Sequence, residues 1–264
     1  APTHGYITNF GKAHLEGFGS IEGVVRGKSE LYHFLAKNKG VCLINSADPI
    51  QVSGTQNQKT FSFGTSDKAA VTIQNIDRGA DQNIVIRTEE TEIISQLKGA
   101  YNFTNIAAAI AFGYYFKIPV AKIKKGIEAY NPTNNRSQWH KTDSNTLVLD
   151  AYNANPSSMK AALESFFNTK KEGCVLILGD MLELGSFADE EHQKIVDLIE
   201  TKKVAEVLLI GPEFNKTKTS TSGFKKFNSS AYAIPYLQEK NFQNKTILIK
   251  GSRGIALEVL KDYL

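Results

Sequence analysis

The run from Asp150 to Met159 reads Asp-Ala-Tyr-Asn-Ala-Asn-Pro-Ser-Ser-Met. It sets a carboxylate, a phenol and two carboxamides close together, groups that can hydrogen-bond a sugar, a base or a phosphate. Thr146 to Leu149 has the apolar pattern of a short strand that Asp150 ends, and Pro156 sits where a helix accepts it, at a first position with no amide to lose. Asn155 or Ser157 can cap that helix. Asp150, Tyr152, Asn153 and Asn155 are thereby predicted at the carboxyl end of a strand, where open α/β sheets bind ligands. An ordinary strand-to-helix turn also uses Asn and Asp for its geometry, and spacing alone leaves both readings open.

Other polar residues stand at comparable places. His14 follows a strand-like segment within Lys12-Ala13-His14-Leu15-Glu16. Lys28 lies on the inner half of an otherwise apolar helix face, where a lysine either snorkels or has its charged form disfavoured by partial burial. Asn102 and Asn105 share one face at the start of a helix, suited to capping and packing or to a ligand. Arg136 follows a linker and can offer several donors to phosphate oxygens without losing its charge. Ser252 and Arg253 end the last strand pattern, where a hydroxyl and a cation can meet a carboxylate. Asp180, Glu183 and His192 flank a second strand-to-helix loop, suited to supporting an amine ligand or equally to helix capping and surface exposure. The phosphate cradle G-x-x-x-x-G-K-[ST] is absent; Gly23 to Ser29 imitates it with one residue too few between the glycines, inside a helix pattern.

The elements that must position these residues fall into two halves. The first predicts a strand (Tyr6 to Phe10), a helix (Ser20 to about Lys37) and a strand (Gly40 to Ile44). A small antiparallel subregion follows at Thr60 to Phe63, Ala70 to Ile76, Asn83 to Arg87 and Glu92 to Leu97, then helices over Asn102 to Phe116 and Val120 to Tyr130. Asn131 to Asn135 reads as a linker. Beyond it, strands near Thr146 to Leu149, Cys174 to Leu178, Val207 to Ile210 and Thr246 to Lys250, with a weaker one at Phe224 to Phe227, alternate with helices. Those helices are placed at Pro156 to Phe167, Asp189 to Lys202, Ala231 to Lys240 and Ile255 to Asp262. Fully apolar strands separated by helices predict a mostly parallel, Rossmann-like sheet.

Composition bounds the function. With 264 residues, 41% hydrophobic and 22% charged, the chain suits one large domain or two ordinary ones. No apolar stretch reaches the roughly 20 residues of a membrane helix, and no secretory leader is visible. A net charge of +4 without interleaved aromatic and basic residues argues against nucleic-acid binding. Cys42 and Cys174 lie in apolar strand patterns and read as reduced core residues, which fits a cytoplasmic compartment.

The Asp150 to Met159 run closely resembles the Asp-x-Tyr-Asn-Ala-Asn-Pro-x-Ser-Met motif of the Mur ligases that build peptidoglycan, in the branch that adds D-alanyl-D-alanine. Further matches follow in family order. Ile7 to Glu16 resembles the central-domain metal segment, Gly27 to Leu31 the lysine segment, and Leu97 to Asn105 the adenine-side motif. Asn135-Arg136-Ser137 resembles the interdomain arginine, Gly179 to Gly185 a branch-typical loop, and Lys250-Gly251-Ser252-Arg253 a late substrate loop.

The resemblance implies an α/β fold: a partial central ATPase domain over residues 1–135 with its antiparallel subregion, then a Rossmann-like carboxyl-terminal ligase domain over residues 136–264. It implies that ATP and Mg2+ are cofactors, and that UDP-N-acetylmuramoyl-tripeptide and D-alanyl-D-alanine are substrates. His14 becomes a metal ligand, and Lys28 a catalytic lysine whose carbamylated form holds a metal. Asn105 faces adenine and Asn102 supports its pocket, Arg136 neutralises phosphate, and Asp150, Tyr152, Asn153 and Asn155 line the nucleotide side. Ser252 and Arg253 take the dipeptide carboxylate. The family's P-loop lies upstream of the Tyr6 segment, so the expectation is a fragment inactive by itself. A sister Mur or folylpolyglutamate-type ligase, or a noncatalytic nucleotide- or dipeptide-binding module, are the alternatives. Tyr101, where the family often has histidine, and Gly254 depart from the pattern.

Overall fold

The computed structural model describes residues 1–79, 82–169, 173–202 and 204–264. The chain forms two compact α/β units, Ala1–Phe10 with Ser20–Asn131 and Gly11–Gly19 with Pro132–Leu264. Among the described residues no helix is long and apolar enough to cross a membrane.

β1 (His4–Gly5) is followed by a one-turn helix, α1 (Leu15–Phe18), which belongs to the second unit. The first unit resumes with α2 (Ile21–Lys37), β2 (Val41–Asn45), α3 (Pro49–Gly54), β3 (Thr60–Gly64), β4 (Val71–Thr72), β5 (Gln74–Ile76), β6 (Asn83–Arg87), β7 (Glu92–Lys98), α4 (Phe103–Tyr115) and α5 (Val120–Ala129). Ser20 starts α2 by accepting the Gly23 N–H, and Asp48 starts α3 by accepting those of Ile50 and Gln51. Strands β1 to β4 form a parallel sheet, and β5 to β7 an antiparallel one. Helix α4 packs against β2, β3 and β6. Its buried Ile106 and Ile110 each contribute about 2 kcal/mol of burial to a core shared with Leu43, Phe63, Ile86 and Ile93.

Two strand expectations change in this unit. The first strand is His4–Gly5, not Tyr6 to Phe10, because the Gln51 side-chain amide takes the Ile7 carbonyl and ends the ladder. The buried Ile7 and Phe10 side chains had produced the apolar pattern. The antiparallel subregion is also smaller than expected: Thr60–Gly64 and Val71–Thr72 join the parallel sheet, and the run Ala70 to Ile76 divides at Ile73 between the two sheets.

The second unit contains β8 (Gln138–Lys141), β9 (Thr146–Asp150), α6 (Pro156–Phe167), β10 (Cys174–Gly179), α7 (Ala188–Glu200), β11 (Glu206–Ile210), α8 (Pro212–Lys216), β12 (Phe224–Phe227), α9 (Ser230–Lys240) and β13 (Thr246–Lys250). Its sheet runs β12-β11-β10-β13-β9-β8, parallel except for β8 at one edge. Strands β10, β11 and β13 are apolar almost throughout because both faces are covered. The last strand, β13, fills the gap between β9 and β10, so three distant stretches of sequence end side by side at one sheet edge.

The final helix expected over Ile255 to Asp262 is instead two 3-10 segments, Arg253–Ile255 and Leu257–Tyr263. Ala256 between them adopts the left-handed conformation (φ 54°). Buried Leu257 and Leu260, three apart, align on one face at the 3-10 repeat. Of the two candidate caps for α6, Asn155 is the one used: it accepts the Ser158 N–H at 2.9 Å while the Ser158 hydroxyl accepts the Asn155 N–H at 3.1 Å. Asn155→Ala should therefore cost about 1 kcal/mol, read as a lower urea midpoint at unchanged slope.

Candidate functional site

Asp150 and its neighbours lie where β9, β10 and β13 end. Asp150 and Lys250 are cross-strand partners in the β9–β13 register, and the Lys250 ammonium meets the Asp150 carboxylate at 2.5 Å. The lysine side chain is 2% exposed and the aspartate 15%, so the pair is desolvated and each charge needs the other. The other Asp150 oxygen accepts the Ser137 N–H at 3.0 Å. In this form Asp150 is a structural anchor. Sequence reading gave Lys250 no role. Its signal was a lone cation ending the apolar strand Thr246–Lys250.

From that anchor the loops present their side chains. The Arg136 guanidinium lies 3.7 Å from the Tyr152 ring centroid, and that of Arg253 lies 5.6 Å from the same ring. Hydrogen bonding to Arg136, its charge and that of Arg253 together hold the Tyr152 phenol below its ordinary pKa. Asn153 is exposed and its side-chain oxygen accepts the Ala154 N–H, while Asn155 is spent on the helix cap. Ser252, predicted to meet a carboxylate, is buried: its hydroxyl accepts the Leu182 N–H at 2.9 Å and donates to the Ala154 carbonyl at 3.3 Å. It stitches together the loops that carry Tyr152 and Arg253. The site thus gathers Arg136, Asp150, Tyr152, Asn153 and Arg253, with Asn155 and Ser252 supporting them.

Of the other predicted residues, Lys28, Asn102 and Asn105 belong to the first unit and His14 to the second. In the first unit, the Lys28 ammonium donates to the Asn9 carbonyl at 2.8 Å, and burial lowers its pKa, the direction that favours a neutral, nucleophilic amine. Asn102 is buried and donates to the Lys98 carbonyl at 2.9 Å, whereas Asn105 is exposed on the first turn of α4. His14 belongs to the second unit, where its imidazole pairs with Glu183. The same segment is held by a Lys12–Glu191 ion pair at 2.7 Å, with Glu191 nearly buried, and by the Glu16 N–H donating to the Glu183 carbonyl. Among the described residues no three His, Cys, Asp or Glu side chains gather as a metal site. An imidazole beside one carboxylate does not by itself fit magnesium, which takes a shell of oxygens.

The second strand-to-helix loop is built for rigidity. The buried Asp180 carboxylate accepts the N–H groups of Glu213 and Phe214, both at 2.8 Å. Gly211 (φ 126°) must be glycine, since a Cβ there would lie 2.3 Å from the Asp180 carboxylate. Burial pushes the Asp180 carboxyl up against the pull of those two amides. His192 Nε2 accepts the Met181 N–H at 2.9 Å, so Nδ1 carries the proton and donates to the Ala188 carbonyl at 2.7 Å. Burial pushes this neutral imidazole below its ordinary pKa. Both residues are therefore framework groups.

Two measurements test this account. Asp150→Ala strands a buried ammonium and should cost roughly 3–5 kcal/mol in urea unfolding, while the double variant Asp150→Ala with Lys250→Met should recover most of the loss. His192 is neutral in the fold and protonates more readily when unfolded. Its contribution is present above about pH 6.5 and lost as the pH falls through the lower folded value. Stability between pH 8 and 5 should then decline more steeply for the unmodified chain than for His192→Gln.

Known proteins resemble this chain in sequence and fold. Residues 1–113 match the Mur ligase middle domain and residues 135–253 the Mur ligase glutamate ligase domain. The UDP-N-acetylmuramoyl-tripeptide–D-alanyl-D-alanine ligase of Bacillus subtilis is 31% identical over 100% of this chain and 59% of its own length. A crystal structure of MurF from Acinetobacter baumannii superposes with a TM-score of 0.82 at 27% identity, over 99% of this chain and 59% of that one. The MurF ligase of Thermotoga maritima in complex with ADP has the same fold, with a TM-score of 0.81 at 19% identity over 99% of this chain and 61% of that one. The chain spans about three fifths of the length of these relatives. With both domains matched in family order and a structural match over 99% of this chain, the chain belongs to the Mur ligase family.

Proposed function

We propose that this chain supplies the ligase domain and part of the ATP-binding domain of an enzyme that joins D-alanyl-D-alanine to UDP-N-acetylmuramoyl-tripeptide, in the cytoplasm. The observation that carries this reading is the convergence of Arg136, Asp150, Tyr152, Asn153 and Arg253 at one sheet edge, in a chain whose relatives bear that name. In the proposed reaction the tripeptide carboxylate attacks the γ-phosphorus of ATP and ADP leaves. The amine of the dipeptide then attacks the resulting acyl phosphate, and the tetrahedral intermediate loses its proton and expels phosphate. Arg136 offsets charge on the phosphates, and Arg253 holds the dipeptide carboxylate. Asp150 and Asn153 orient the nucleotide sugar, with Asn102 and Asn105 on the adenine side. Lys28, with its lowered pKa, is proposed to be the amine that carbon dioxide carbamylates. Magnesium would accompany the ATP phosphates, whose oxygens would supply the shell that His14 and Glu183 by themselves lack.

The 264 residues contain no P-loop, so the purified chain, given ATP, the tripeptide precursor and D-alanyl-D-alanine, should release no ADP above background. Calorimetry should still detect weak ATP binding that Arg136→Ala reduces about tenfold, the loss expected of one charge-assisted contact. Tripeptide-dependent ADP release would show that the chain carries its own phosphate cradle. No ATP binding at millimolar concentration would remove the nucleotide site from this unit.

A further inference from the structure

The loop that follows β10 is fixed at successive residues. Met181 and Leu184 are buried. The Met181 N–H is held by His192, the Leu182 N–H by the Ser252 hydroxyl at 2.9 Å, and the Glu183 carbonyl by the Glu16 N–H at 3.0 Å. Between the two buried anchors, the Leu182 side chain is 43% exposed. An exposed leucine on a surface helix needs no explanation. The other large apolar side chains exposed in this unit, Phe18, Tyr232, Val259 and Tyr263, do lie in helical segments. Leu182 instead stands on a fixed loop at the carboxyl end of the sheet, where α/β folds bind ligands.

Gly254 is the other half of this feature. A Cβ placed on it would lie 2.9 Å from Leu182 Cδ1, with nothing else within 4 Å beyond its chain neighbours. Gly254 is not one of the glycines with positive φ, so the backbone does not demand glycine there. What glycine admits is the leucine, since a side chain at 254 and Leu182 would compete for one volume. Leu182 is tied through its amide to Ser252 and reaches with a methyl group to Gly254, so it lies alongside Arg253. Arg253 and Gly254 are themselves exposed. A cation and an apolar surface are thus presented side by side, a pairing that matches a carboxylate and a small apolar side chain borne on one carbon.

We infer that Leu182, admitted by Gly254, is a specificity-determining residue that packs against the side chain of the acceptor's carboxyl-terminal residue and selects a methyl group there over both hydrogen and larger groups. This rests on the proposed reading in which Arg253 holds the dipeptide carboxylate, and it adds the residue that reads what stands beside that carboxylate. A terminal glycine forgoes the leucine contact. A branched terminal side chain meets a leucine that already fills the space above Gly254. A methyl-sized difference in an apolar contact is worth roughly tenfold or more in discrimination.

Methyl signals of 13C-labelled leucine and side-chain Nε–Hε signals of arginine in the 264-residue chain read the two parts separately. D-alanyl-D-alanine should shift both the Leu182 methyls and Arg253. D-alanylglycine and D-alanyl-D-leucine should each bind about tenfold more weakly. In Leu182→Ala these dipeptides should fall within about threefold of one another, with unchanged backbone spectra elsewhere showing that the variant folds. Gly254→Ala should weaken D-alanyl-D-alanine binding when Leu182 is present but not in the Leu182→Ala background, where the two side chains no longer compete. Discrimination that survives in Leu182→Ala, or an effect of Gly254→Ala that is the same in both backgrounds, would overturn the inference. If D-alanyl-D-alanine moves Arg253 but not the Leu182 methyls, the leucine wall is wrong and the dipeptide reading stands. If it moves neither at millimolar concentration, the dipeptide site proposed above fails and the inference fails with it.

Discussion

The ion pair between Asp150 and Lys250 is the constraint on which the second unit's site depends. It closes the ends of β9 and β13, and the same carboxylate fixes the Ser137 amide. A desolvated ammonium tolerates no loss of its partner, so the geometry of this corner is held by a penalty for breaking as much as by the attraction itself. Arg136, Tyr152 and the loop bearing Arg253 are attached within a few residues of it. Under the proposed reading function and stability share one carboxylate, and a substitution there reports on both unless the lysine is changed with it.

A second layer of support comes from groups that sequence patterns suggested as ligands and that the fold uses internally. Asn155 caps α6. The Ser252 hydroxyl joins the loops after β9 and β10. Asp180 and His192 saturate their hydrogen bonds with backbone groups inside the unit. Asn155 and Ser252 thereby hold the loops that carry Tyr152 and Arg253.

The segment Gly11–Gly19 adds an unusual feature. It carries His14, yet it belongs to the second unit, held by Lys12 against Glu191 and by His14 against Glu183. His14 and Glu183 both adopt left-handed backbone conformations, a cost of order 1–3 kcal/mol each that the surrounding contacts must offset. Lys28, the other residue tied to metal binding by resemblance, lies in the first unit.

The sequence determined most of the elements of the second unit, because apolar strands covered on both faces and the Asn-Pro helix start leave local signatures; β9, α6, β10 and β13 lie within a residue of their expected bounds. It also determined the family, through motifs whose order is written in the chain. It could not show that Thr60–Gly64 pairs in parallel with β2, since alternation records burial and not the partner strand. Nor could it show that the last expected helix breaks at Ala256, a choice made by the packing of Leu257 and Leu260. The partnership of Asp150 with Lys250, and the approach of Arg136 and Arg253 to the Tyr152 ring, were decided only by tertiary structure. Contacts between residues about a hundred positions apart depend on which strand fills the gap beside β9, and no local pattern of charge or hydropathy encodes that.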